Sequence, residues 1–177
     1  MRARATRAAC HVPPERIYPG TGWAIASIMS TAAIPLPRTL LVPTDFSEHG
    51  TAALDYAAAL AAKLDGRVHL LHVITLPIYG LDITGAATAT MIDELTMGAQ
   101  EELDKLIAAR PGTPFGKPLL RIGDARDVID AMAKELKADL IVLGTHGRRG
   151  FSRLVMGSVA EAVVRTAPCS VLTVRAT

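Results

Sequence analysis

Aromatic residues are scarce, at 4% of 177 residues, with a single Trp. The chain therefore lacks the stacking set that single-stranded nucleic acid requires. Its formal net charge of +2 supplies no strong basic field either, so neither half of a nucleic-acid footprint is present. Cysteine is nearly absent. Cys10 and Cys169 share no motif spacing, which excludes a disulfide scaffold and a cysteine zinc site and fits a reducing, cytoplasmic compartment. No apolar run reaches the ~18 to 20 residues of a membrane helix, although the mean hydropathy is positive, +0.29. What is abundant is aliphatic. Half of the chain is hydrophobic, carried by Ala, Val, Leu and Ile, a composition that suits helices packed on a sheet. The length fits one domain with a tail.

Charge divides the chain unevenly. Residues 1–37 hold Arg2, Arg4, Arg7 and Arg16 against Glu15, or +3, leaving −1 for residues 38–177. Pro13, Pro14, Pro19, Pro35 and Pro37 fall in the same stretch, which shows neither helical nor strand periodicity. It reads as a disordered tail or as an early start ahead of Met29. Arginines preceding Trp23–Met29 imitate a targeting segment, but the prolines and Glu15 between them weaken that reading.

From Arg38 the pattern is regular. Thr39–Val42 reads as a buried strand turning at Pro43-Thr44-Asp45. Ser47 is a good helix N-cap, with Glu48 in the first turn. Ala53, Leu54, Ala57, Ala58, Leu60 and Ala61 follow at helical spacing until Asp65-Gly66. Arg67–Ile74 is a second strand. A Gly-, Ala- and Thr-rich stretch then leads to a helix over about 91–110, which presents Ile92, Leu95, Met97, Leu103 and Leu106. Lys117–Ile122 is a third strand and Ala125–Leu136 a helix capped by Asp124. Leu140–Leu143 is a fourth strand, a helix runs from about Ser158 to Thr166, and Ser170–Val174 is a fifth strand. Short, continuously apolar strands alternating with helices predict a parallel sheet covered on both faces. Ligands of such sheets bind beyond the strands' carboxyl ends.

Two segments there carry chemistry. In Val42-Pro43-Thr44-Asp45-Phe46-Ser47, the Asp45 carboxylate can accept hydrogen bonds from a ligand's hydroxyl or amine groups, or simply cap the turn. In Gly144-Thr145-His146-Gly147, followed after nine intervening residues by Gly157-Ser158, glycines permit close amide approach to an anion. Ser158 adds a hydroxyl at a helix start, where unpaired N–H groups and the positive dipole end attract negative charge. Arg148, Arg149 and Arg153 lie between and can neutralise phosphate. Neither Gly-x4-Gly-Lys-[Ser/Thr] nor a Gly-x-Gly-x-x-Gly after strand one occurs.

These segments, with Leu71-His72-Val73 in strand two, resemble the universal stress protein family over about residues 38–176. The resemblance implies a single doubly wound α/β domain with a five-stranded parallel sheet of order 3-2-1-4-5. That order would bring the two loops to one crevice. The spacing Gly-x2-Gly-x9-Gly-[Ser/Thr] marks the family's ATP-binding branch. By resemblance, Pro43, Thr44, Asp45 and Val73 would hold the adenosine end. Leu143, Gly144, His146 and Gly147 would border the ribose and first phosphates, and Gly157, Ser158 and Val159 would hold the outer phosphates. ATP with Mg2+ is the implied ligand, and a homodimer through strand five the implied assembly. Ala160 departs from the hydroxyl residue that many ATP-binding relatives carry there.

Other residues read as structural. His69 and His72, three apart in a strand, point to opposite faces and form no metal pair, so packing is expected of both. Cys169 reads as a small buried residue, and Met91 and Met97 as core or loop packing. No general base, Walker lysine or acidic metal cluster stands out, so no catalytic or metal-ligating residue is assigned and at most weak ATP hydrolysis is expected. The functional classes are thus an ATP-binding stress or regulatory protein, a slow ATPase, and a protein-interaction module with a vestigial nucleotide site.

Overall fold

In the computed structural model, residues 35–76, 86–147 and 156–176 are described, and Pro35–Thr177 forms one compact unit. Of residues 1–37, for which a disordered tail is expected, 1–34 lie outside the described residues, as do Arg148, Arg149 and Arg153. Among the described residues five strands alternate with four helices: β1 (Thr39–Thr44), α1 (Glu48–Leu64), β2 (Arg67–Ile74), α2 (Ala86–Ala108), β3 (Leu119–Ile122), α3 (Ala125–Glu135), β4 (Leu140–Gly144), α4 (Ser158–Thr166) and β5 (Ser170–Val174). All four strand pairings are parallel, in the order β3-β2-β1-β4-β5. The doubly wound α/β architecture read from the sequence is the one observed.

The two faces of the sheet are built by alternate residues of the same strands. Leu40, Val42, Val68, Leu70 and Val142 pack against Ala53, Leu54 and Ala57 of α1 and Leu103 of α2. Leu41, Leu71, Ile141 and Leu143 pack against Ile129, Met132 and Ala133 of α3 and Ala160 and Val163 of α4. Cutting a fully buried leucine such as Leu54 to alanine costs about 2–5 kcal/mol.

Local signals set the helix ends. Ser47 accepts the Gly50 N–H at 3.2 Å and Asp124 accepts those of Arg126 and Asp127 at 3.0 and 3.2 Å, so each helix start gains a partner for an otherwise orphan donor. At the end of α1 the left-handed residue is Asp65, φ 52°, rather than Gly66. Glycine at position 66 relieves a tight approach, because a Cβ there would lie 3.0 Å from the Arg38 carbonyl oxygen.

Three sequence expectations need correction. The first strand continues through Pro43 to Thr44. The β1–β4 pairing covers only Leu40 and Leu41, so Pro43 sits where the ladder towards β4 has ended and its missing N–H does no harm. Helix α2 begins at Ala86, five residues before Met91, since nothing in Ala-Ala-Thr-Ala-Thr breaks a helix. Met97 is not packed: it is 66% exposed and Leu95 45%, while Ala99 and Leu103 are the buried positions of that helix.

Candidate functional site

Strands β1 and β4 are central neighbours whose outgoing connections pass to opposite faces, α1 to one and α4 to the other. Because their pairing stops at Leu41, they separate at their carboxyl ends, where the loops after β1 and β4 begin. The geometry of glycine shows how closely those loops approach. A Cβ on Gly147 would lie 2.7 Å from Asp45 Oδ2. Asp45 and Gly147, 102 positions apart in sequence, therefore share one crevice.

The β1–α1 loop is fixed from within. Asp45 Oδ1 accepts hydrogen bonds from the Ser47 N–H at 3.1 Å and the Ser47 hydroxyl at 2.5 Å. The same Ser47 oxygen caps α1. Asp45 thus both turns the chain and, through Oδ2, faces Gly147, so capping and ligand-facing roles are compatible. Thr44 is the buried polar residue of the described set, 6% exposed, and its Oγ1 accepts the Phe46 N–H at 3.1 Å. Phe46 lies in the left-handed region, φ 64°, a conformation that costs a bulky residue about 1–3 kcal/mol and persists only where the surroundings hold it.

Those surroundings include His72, which the sequence assigned to packing. Its Nδ1–H donates to the Thr44 carbonyl oxygen at 2.7 Å, and its ring centre lies 4.3 Å from that of Phe46. A signal was present in the sequence, since His72 directly precedes Val73 at the carboxyl end of β2. Reading it required the β1–β2 register, which pairs His72 with Thr44.

The glycines after β4 do different jobs. A Cβ on Gly144 would meet His49 main-chain atoms at 2.8 Å, so this glycine lets α1 pack onto β4. Gly147 makes room for Asp45. Gly157 precedes α4 with ordinary angles, φ −62° and ψ 146°; its N–H donates to the Thr145 carbonyl at 2.8 Å, tying the start of α4 to the β4 loop. The N-cap position of α4 is Gly157, which has no side chain to cap the helix, and Ser158 and Val159 in its first turn are exposed. This helix start offers N–H donors and the positive end of a dipole. Ala160 points the other way, 4% exposed in the core, so a larger side chain there would press on α3 packing. His146 lies within 3.0 Å of the Thr145 hydroxyl through Nδ1 and stands edge-on to His49 with ring centres 5.1 Å apart.

Of the remaining sequence candidates, Leu143 is buried in the core and Val73 packs beside it, so contact from these positions would come chiefly from backbone. Pro43 is half-buried at the strand end. Away from the crevice, burial and the nearby Arg67 hold the His69 imidazole below its ordinary value of 6.5. Burial, followed by Asp139, raises the Cys169 thiol. Among the described residues no group of three or more His, Cys, Asp or Glu could hold a metal ion. No described helix is long and apolar enough to cross a membrane.

The sequence matches the model of the universal stress protein family over residues 37–175. A universal stress protein of Methanocaldococcus jannaschii is 34% identical over 144 residues, covering 79% of this chain and 83% of the relative. Among solved structures, universal stress protein UspA from Lactobacillus plantarum superposes with a TM-score of 0.69 at 26% identity, covering 78% of this chain and 97% of its own. A universal stress protein solved in complex with cAMP gives a TM-score of 0.60 at 23% identity, over 80% of this chain and 99% of its own, a level that shows the fold alone.

Proposed function

The chain belongs to the universal stress protein family, and we propose that it binds an adenine nucleotide, ATP with Mg2+, in the crevice between the loops after β1 and β4. The observation that carries this reading is the approach of Asp45 Oδ2 to Gly147. It joins a carboxylate at one side of the crevice to a glycine loop that leads, through Thr145 and Gly157, to the start of α4. The two sides suit opposite ends of one ligand. Asp45 accepts hydrogen bonds from nucleoside hydroxyl or amine groups and repels phosphate. The Ser158 hydroxyl and the first N–H groups of α4 donate to phosphate oxygens, with the helix dipole in their favour. Mg2+ enters as the companion of the phosphates, because the described residues supply no cluster for it. Ala160 removes one hydroxyl but leaves its backbone N–H in the first turn. A universal stress protein of this fold has been solved with cAMP, itself an adenine nucleotide.

The role that follows is regulatory: bound nucleotide stabilises the folded form and reports the cell's adenylate state. Mass spectrometry of the purified protein after denaturation tests this reading. Released ATP or another adenine nucleotide, near one per chain, is the expected result. Protein that carries none and takes none up would leave a partner-binding module with a vestigial site. Hydrolysis that is lost in Ser158→Ala would make the protein a slow ATPase.

A further inference from the structure

We propose that His72 is a positioning residue for the nucleotide site: one imidazole grips both flanks of Asp45 and sets the direction of its carboxylate. The proposal rests on the nucleotide reading for its consequence in binding, but its structural core does not. Asp45 lies between Thr44 and Phe46. His72 Nδ1–H donates to the Thr44 carbonyl oxygen at 2.7 Å, and its ring tilts by 32° against that of Phe46 at 4.3 Å. A carbonyl can only accept, so Nδ1 carries the proton. Thr44 and His72 are also the last pair of the β1–β2 ladder, so the imidazole continues the cross-strand link where the register ends.

The turn needs such a clamp. Phe46 stands at φ 64°, where an aromatic residue does not rest unaided. Thr44 Oγ1, on the last residue of β1, supplies one bond to the Phe46 N–H. His72 adds a second hold, from a strand on the other side of β1 from β4. If the clamp is released, Phe46 can return to ordinary angles. Asp45 then turns with it and Oδ1 leaves the Ser47 N–H and hydroxyl that now fix it.

The test uses the full chain and three variants. His72→Ala removes both contacts, His72→Phe keeps a ring without the donor, and His72→Asn keeps a donor near the position of Nδ1 without the ring. Amide hydrogen exchange of the ligand-free protein is read at Phe46 and Ser47, with the interior of α1 as internal reference. Exchange at those two amides should rise roughly 5-fold or more in His72→Ala, the scale of one lost hydrogen bond, with α1 unchanged and partial recovery in His72→Asn. Adenosine and ATP should weaken by equal factors of roughly 5- to 10-fold. In an Asp45→Ala background the same substitution should add less than about 2-fold, because its effect passes through Asp45. Wild-type exchange at Phe46 and Ser47 in His72→Ala and His72→Phe would overturn the clamp. Additive losses with Asp45→Ala would overturn its action through Asp45. Failure of the wild-type protein to bind either ligand would count against the nucleotide reading, while the exchange data would still decide the clamp.

Discussion

Replacing Gly147 with alanine adds one methyl group at the point where the two loops meet. Its Cβ would lie 2.7 Å from Asp45 Oδ2, against the ~3.5 Å of ordinary van der Waals contact, so the pair must separate by roughly 0.8 Å. Asp45 cannot simply swing aside, because Oδ1 is held by the Ser47 N–H and hydroxyl at 3.1 and 2.5 Å. Either the carboxylate gives up those bonds or the β4 loop moves back. Losing a hydrogen bond to a charged acceptor costs about 1.5–3 kcal/mol. For a domain of this size that lowers the thermal midpoint by roughly 3–12 °C. The same displacement removes the carboxylate from the nucleoside end, so adenosine and ATP should both weaken by ~10- to 150-fold. Scanning calorimetry reads the first effect without any ligand, and titration of both ligands reads the second. Gly147→Ala that melts and binds like wild type would show that Asp45 and Gly147 do not face each other as described.

Strand β5 is a sheet edge with half-buried Val171, Leu172 and Val174. An apolar edge invites pairing, so light scattering should give about twice the chain mass, and a monomer at micromolar concentration would contradict it. Folded His69 has a lowered pKa. Its contribution to stability is fully present above the unfolded value near 6.5 and is lost as pH falls through the lower folded value. His69→Asn should therefore flatten the acid side of urea midpoints between pH 7 and 5, and an unchanged profile would refute that. Since Pro35–Thr177 is one compact unit, a chain beginning at Met29 should keep the thermal midpoint and ligand binding of the full chain; loss of folded protein would refute it.

The elements most legible in the sequence are those whose signal is local. Continuous apolar strands, the Ser47 and Asp124 caps and the stop at Asp65-Gly66 all follow from neighbouring residues. Contacts across the sheet are another matter. Position 144 reads equally as a phosphate loop or as a packing glycine until His49 is seen against it. His72 reads as packing until register sets it beside Thr44. The left-handed Phe46 has no local signature, because glycine or asparagine would be the ordinary choice. Thr44 and His72, which support that conformation, reach it through the fold. Helix α2 starts early because alanine and threonine carry no boundary, and its exposed Leu95 and Met97 imitate a buried face that only Ala99 and Leu103 provide.

Calorimetric titration of Mg-ATP and of adenosine into wild type, Asp45→Ala and Ser158→Ala tests whether the crevice holds the nucleotide. Wild-type protein should bind one ATP per chain. Asp45→Ala should weaken both ligands alike, and Ser158→Ala should weaken ATP by ~10- to 150-fold with little change for adenosine, as loss of one bond to a charged phosphate requires. Absence of ATP binding by the wild-type protein with magnesium present, or binding unchanged in both variants, would contradict that placement.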